Sequence, residues 1–208
     1  MDTDDPHTIA SLDALHGLYD APSERVRLKQ IDRLDEHCRA FIAASPFLIL
    51  ATCGSSGADG SPRGDRPGFV EVADDTTLLL PDRRGNNRID SLRNIVENPA
   101  VGLIFLVPGV HETFRVNGRA RISTDPALLA RFAVDGKAPK TVLVITVQEA
   151  FIQCARALVR SELWNPARHV RRDDLPSIGT ILAAHTGGKV DAAAYDAEAA
   201  VTMPKTLY

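Results

Sequence analysis

Two arginine clusters on either side of a short apolar run carry the chemistry of this chain. SPRGDRPGF begins at Ser61, LLL spans 78–80, and PDRRGNNR ends at Arg88. Arginine offers a planar, permanently charged fork that suits phosphate oxygens, so two clusters at opposite ends of a strand pair mark a place for a small anion. The second cluster is the sharper signal. Asn87 reads as an N-cap, which puts Arg88 at the first helical position, where the helix dipole is already positive. A cation there is misplaced unless an anion lies nearby. Free N–H groups at a helix start, joined by Asn86, Asn87 and Arg88, would cradle a phosphate. A plainer reading of the same residues is that Asp90 neutralises Arg88 and the segment is a polar turn.

Other chemistries find little support. The chain has 208 residues, 24 Lys and Arg against 27 Asp and Glu, and a formal net charge of -3. That balance argues against a nucleic-acid binder, which needs a basic face, so any bound anion is expected to be small and held locally. The amino terminus, MDTDDPHT, is acidic, unlike a targeting segment. Three cysteines without a C-x-x-C pair lead us to expect reduced thiols in a cytoplasmic protein. No apolar run approaches the roughly 20 residues of a membrane span. GSSGADG has the glycine spacing G-x-x-G-x-x-G and no helix after it, so it is not a dinucleotide fingerprint. Gly136-Lys137-Ala138 lacks the hydroxyl residue of a P-loop, and His111-Glu112 is not the start of a zinc-binding H-E-x-x-H. Cys154, read as lying on a helix among Phe151, Ile152 and Leu158, is expected to be a buried, inert thiol. Trp164, the one tryptophan, could be core or the lid of an aromatic ligand.

The elements that must hold the arginines follow from periodicity. Apolar residues from Val26 to Ile42 predict a helix opening at Pro22-Ser23 and ending before Pro46. FLILAT (47–52) reads as a buried strand entering the GSSGADG turn, with a second strand through 63–72 and a third at 76–80. A helix after Arg88 carries Ile89, Leu92, Ile95 and Val96. The run 101–107 has the pattern of a strand buried on both faces. Residues 113–122 alternate, with Thr113, Arg115, Asn117, Arg119 and Arg121 on one face. A strand at 141–147, a helix at 149–159, and helices at 178–185 and 191–201 complete the reading. Six strands at hairpin-like spacing predict a mostly β, antiparallel small barrel with flanking helices. We expect one domain over 1–208, with helical segments at 1–45 and 167–208 packed on it.

SPRGD, LPDRRGNNR, NPAVGLIFLVPG, ETFRVNGRARI and FIQCARALVRSELWNP together resemble the pyridoxamine 5′-phosphate oxidase-related flavoproteins, over Phe47 to Pro166. The resemblance implies a split β-barrel working as a homodimer, with FMN at the subunit interface. It implies that Arg63, Gly64 and Asp65 run along the flavin and that Pro81 and Asp82 lie at the isoalloxazine edge. Asn86, Asn87 and Arg88 would grip the phosphate, and Thr113 would contact the flavin. Arg156, Ser161 and Trp164 would close the site from the other subunit. This chain lacks the closing segment of the true oxidases, because RHVRR places its Arg and His in a different frame. Pyridoxamine phosphate is therefore not expected as its substrate. The function implied is an FMN-dependent oxidoreductase. Two alternatives stay open: a flavin carrier or redox sensor without turnover, and a barrel of this kind holding haem or a deazaflavin.

Overall fold

The computed structural model describes residues 5–208, and the first four residues of the acidic amino terminus lie outside the described part. Strands β1 (Phe47–Gly54) and β2 (Gly57–Gly64) form a hairpin across Ser55-Ser56. Gly57 sits there at φ 107°, a conformation that side-chain-bearing residues rarely adopt. After β3 (Glu71–Val72) and β4 (Thr77–Pro81) comes β5 (Ala100–Leu106). Two long strands follow, β6 (Thr113–Ser123) and β7 (Val142–Gln153). All pairings are antiparallel, in the order β2-β1-β5-β6-β7-β4-β3.

One face of this sheet carries the core. Leu48, Leu50, Leu78, Leu80, Leu103, Phe105, Val116 and Ile145 are fully buried there. Each such side chain contributes about 1.5–3 kcal/mol relative to exposure. Helix α3 (Glu36–Ala44) covers the core with Cys38 and Ile42, and α4 (Asp90–Glu97) covers it with Ile95. A smaller cluster on the other face joins Leu79, Val142 and Val144 to Phe132, under α5 (Pro126–Arg131). The β6/β7 ladder is bulged at Asn117/Gly118. A Cβ on Gly118 would sit 2.2 Å from the Thr146 carbonyl oxygen, so only glycine fits that approach.

The sheet curls until its ends meet. Arg63 on β2 reaches Asp82, just beyond β4, at 2.5 Å, and Arg83 reaches Asp65, just beyond β2, at 2.6 Å. These two reciprocal pairs clasp opposite edges of the sheet and close the split barrel.

Several expectations are corrected. The described residues form seven strands, not six. The second strand ends at Gly64 and only Glu71–Val72 pairs again, because Arg66 to Val70 turn away from the sheet. The amino-terminal helix is broken into α2 (Glu24–Leu28) and α3, after a short α1 (Leu12–His16). Between α2 and α3, Ile31 bridges to Ala150 of β7. The helix expected at 149–159 is split: β7 runs to Gln153 so that β6 finds a partner down to Thr113, and helix begins only with α6 (Arg156–Ser161). Strand pairing outweighs a local pattern that fits either period. Cys154 is consequently exposed rather than buried on a helix. Strand β5 buries one face only: Val101, Leu103 and Phe105 are interior, while Gly102, Ile104 and Leu106 are half-buried. Helices α7 (Ile178–His185) and α8 (Ala192–Thr202) fall where expected and pack on one another. No described helix is long and apolar enough to cross a membrane.

Candidate functional site

Between β2 and the segment joining β4 to α4 lies a cavity of about 540 Å³. One wall is the inward-facing side of β2: Leu48, Leu50 and Thr52 of β1 pair with Arg63, Ser61 and Asp59, so the alternation that buries the leucines aims these three at the same side. The other wall is the chain from Pro81 through Leu92. Of the residues singled out in the sequence, Arg63, Gly64, Pro81, Asp82, Asn86, Asn87 and Arg88 line this cavity together. Asp65 stands behind the wall, joined to Arg83.

The structure moves the start of α4. Asn87 is not its N-cap and Arg88 is not helical: the helix begins at Asp90, after Ile89. Asn87 and Ile89 both adopt left-handed backbone, φ 59° and 54°. Asparagine tolerates that region, but a β-branched residue rarely enters it. Such conformations cost roughly 1–3 kcal/mol and persist where their surroundings enforce them. The consequence is local. Ile89 supplies no side-chain cap, so the first-turn N–H groups of α4 are left without a side-chain acceptor beside the cavity.

Charge in the wall falls into two kinds. Arg63 is mostly buried and donates to Asp82, while its Nε is buried without any partner. Arg83 is likewise engaged, by Asp65 and by the Phe132 carbonyl oxygen at 2.6 Å. Burial opposes ionisation of Asp65, but hydrogen bonds from Tyr208, the Arg66 N–H and Arg83 outweigh it and hold the carboxyl below its ordinary range. Arg84 and Arg88 face outward. Arg88 is 75% exposed and donates to Asp90 at 2.8 Å, a bond that raises its already high pKa, and its own N–H donates to Asn86 Oδ1. The plainer sequence reading, neutralisation by Asp90, thus describes its partner, yet Arg88 still lines the cavity. Four arginines stand there against three aspartates, Asp59, Asp82 and Asp90. Asp59 is held by Ser91 Oγ at 2.6 Å.

Thr113, Arg156, Ser161 and Trp164 are not in this cavity. Thr113 is buried on β6 opposite Gln153. Arg156 and Ser161 are exposed on α6, Ser161 donating to the Leu158 carbonyl oxygen. The Trp164 indole donates to the Val110 carbonyl oxygen at 2.8 Å. Conversely, Ser61, Phe69, Arg83, Arg84 and Ser91 belong to the cavity and were given no individual role from the sequence. The signal for the two arginines lay within PDRRGNNR itself. Ser91 could be found only by knowing how α4 meets Asp59. Elsewhere, burial, with the Asp35 hydrogen bond, pushes the Cys38 thiol up to about 11, making it a packing residue rather than a nucleophile.

Solved structures with related shapes include HupZ from Group A Streptococcus, 22% identical over 57% of this chain and 93% of that chain, TM-score 0.47. General Stress Protein 26 from Bacillus anthracis is 17% identical over 55% of this chain and 88% of its own, TM-score 0.41. An FMN-binding protein from Syntrophomonas wolfei is 12% identical over 56% and 88%, TM-score 0.42. No curated protein matches the chain. Among protein families, residues 34–154 match the one described as Pyridoxamine 5′-phosphate oxidase. That span holds every strand of the sheet, the edge clasp and the whole cavity wall, and by it the chain belongs to the pyridoxamine 5′-phosphate oxidase family, as a split β-barrel.

Proposed function

We propose that this protein is an FMN-binding flavoprotein acting as an oxidoreductase, with the flavin phosphate seated at Asn86, Asn87, Arg88 and the uncapped start of α4. The observation that carries the reading is the wall itself: first-turn N–H groups without a side-chain acceptor, two left-handed residues and an outward-facing arginine converge beside a cavity of cofactor size. The orphaned Nε of Arg63 fits the same occupant, since a buried guanidinium N–H without an acceptor is costly and a polar ring edge would supply one.

When bound, FMN supplies the electron-transfer chemistry, and the protein supplies binding, orientation and electrostatics. Arg88 contributes a mobile charge for the phosphate, exchanging Asp90 for a dianion. Arg63, fixed by Asp82, presents a donor that cannot swing away, and a fixed donor at the pyrimidine end of the ring would raise the flavin's potential. Asp59 and Ser91 hold α4 against β2 and so set the width of the slot.

The working unit we propose is a homodimer with the flavin at its interface. One feature supports this. The outer face of β1 and β5 is apolar and open, Phe47 and Ile49 each 38% exposed beside Ile104 and Leu106. On this reading Arg156, Ser161 and Trp164, which lie outside the cavity of their own chain, would close it from the second copy. The absorption spectrum of the purified protein tests the assignment. Flavin bands, with FMN released on denaturation and steady NADH or NADPH oxidation with added acceptors, are expected. A haem or deazaflavin spectrum, or tight flavin without reduction by either nucleotide, would overturn the cofactor or the enzymatic reading respectively.

A further inference from the structure

The segment after α8 returns to the barrel and makes a set of contacts there through Tyr208. Past the 3-10 turn Met203–Lys205, the Tyr208 phenol donates to Asp65 Oδ1 at 2.5 Å, its ring lies 5.4 Å from the Arg83 guanidinium, and Lys137 Nζ donates to its carbonyl oxygen. Both oxygens of Asp65 are thereby engaged, one by Tyr208 and the Arg66 N–H, the other by Arg83. Arg83 is held on three sides: by Asp65, by the Phe132 carbonyl and by the tyrosine ring.

Arg83 and Arg84 form a wall common to three cavities. One is the candidate flavin site. The second, about 440 Å³, is bounded by Met203, Thr206, Leu207 and Tyr208, and the third, about 450 Å³, by Lys137, Lys140 and Tyr208. A wall shared by three cavities depends on the contacts of its own side chains to stay in place. We infer that Tyr208 is a positioning residue for the cofactor site, clamping the Arg83-Arg84 wall from the side opposite the flavin; this rests on the FMN reading above. Loss of the clamp would let the wall yield outward, carrying with it the neighbouring Asp82 and hence Arg63.

The test compares wild type, Tyr208→Phe and Tyr208→Ala. Tyr208→Ala, which removes stack and hydrogen bond, is expected to release FMN about tenfold faster. Tyr208→Phe keeps the stack and should fall between. On the protein without flavin, tryptic cleavage after Arg83 and Arg84 should accelerate in the same order, while the thermal midpoint moves little. Equal FMN release and equal cleavage in all three proteins would overturn the inference. A lowered midpoint with unchanged release would do the same, since it would show a merely structural contact. If wild type binds no FMN, the cofactor reading fails, and the cleavage rates still decide whether Tyr208 holds the wall.

Discussion

Arg63 and Arg88 border one cavity in opposite states. Arg63 is clasped to Asp82 with about a fifth of its side chain exposed, whereas Arg88 is three-quarters exposed on a strained loop beside an uncapped helix. The comparison separates two uses of the same residue type. A partly buried ion pair fixes geometry, and breaking it leaves a charge without compensation. An exposed pair stabilises little and can change partners cheaply. The edge arginine is thus suited to shaping the cavity, and the loop arginine to changing partners.

The largest effect is expected where the clasp is cut. Asp82→Ala should lower stability by about 3 kcal/mol in urea unfolding, because Arg63 would be left unpaired between the sheet edges. If it unfolded like wild type, the two arginines would not differ as described. Arg88→Ala should do the reverse, shifting stability by less than about 0.5 kcal/mol while weakening FMN binding about 10- to 100-fold in a fluorescence titration. Asp65 sharpens the comparison through pH. Its lowered pKa means that the ionised form stabilises the fold above the ordinary carboxylate range near 4 and that this contribution disappears as pH falls through the lower folded value. Wild type should therefore lose stability more steeply than Asp65→Asn below about pH 4, as read by denaturant midpoints across pH. The smallest change belongs to Asn86→Ala, which removes a neutral hydrogen-bonding group from the proposed phosphate site and should weaken FMN by no more than about tenfold.

Much of the fold was legible because burial writes a period into the chain. The 113–122 alternation, the FLILAT run and the helices read at 178–185 and 191–201, the last found at Ala192–Thr202, are all visible as patterns. What escaped depended on partners distant in sequence. EAFIQ became strand because β6 needed pairing, and Arg66 to Val70 left the sheet to let its edges meet. In the site, the motif PDRRGNNR announced the arginines but not their commitments. That Arg83 belongs to Asp65 and Tyr208, and that Ile89 rather than Asn87 precedes the helix, follows from a closed barrel and could not be read from spacing.

The central claim is that the 86–88 segment and the start of α4 hold a phosphate. Parallel titrations with FMN and with riboflavin, which differ only in that group, address it most directly. The account predicts that FMN binds at least about 100-fold more tightly and that Arg88→Ala removes most of the difference. Riboflavin binding as tightly as FMN would contradict it.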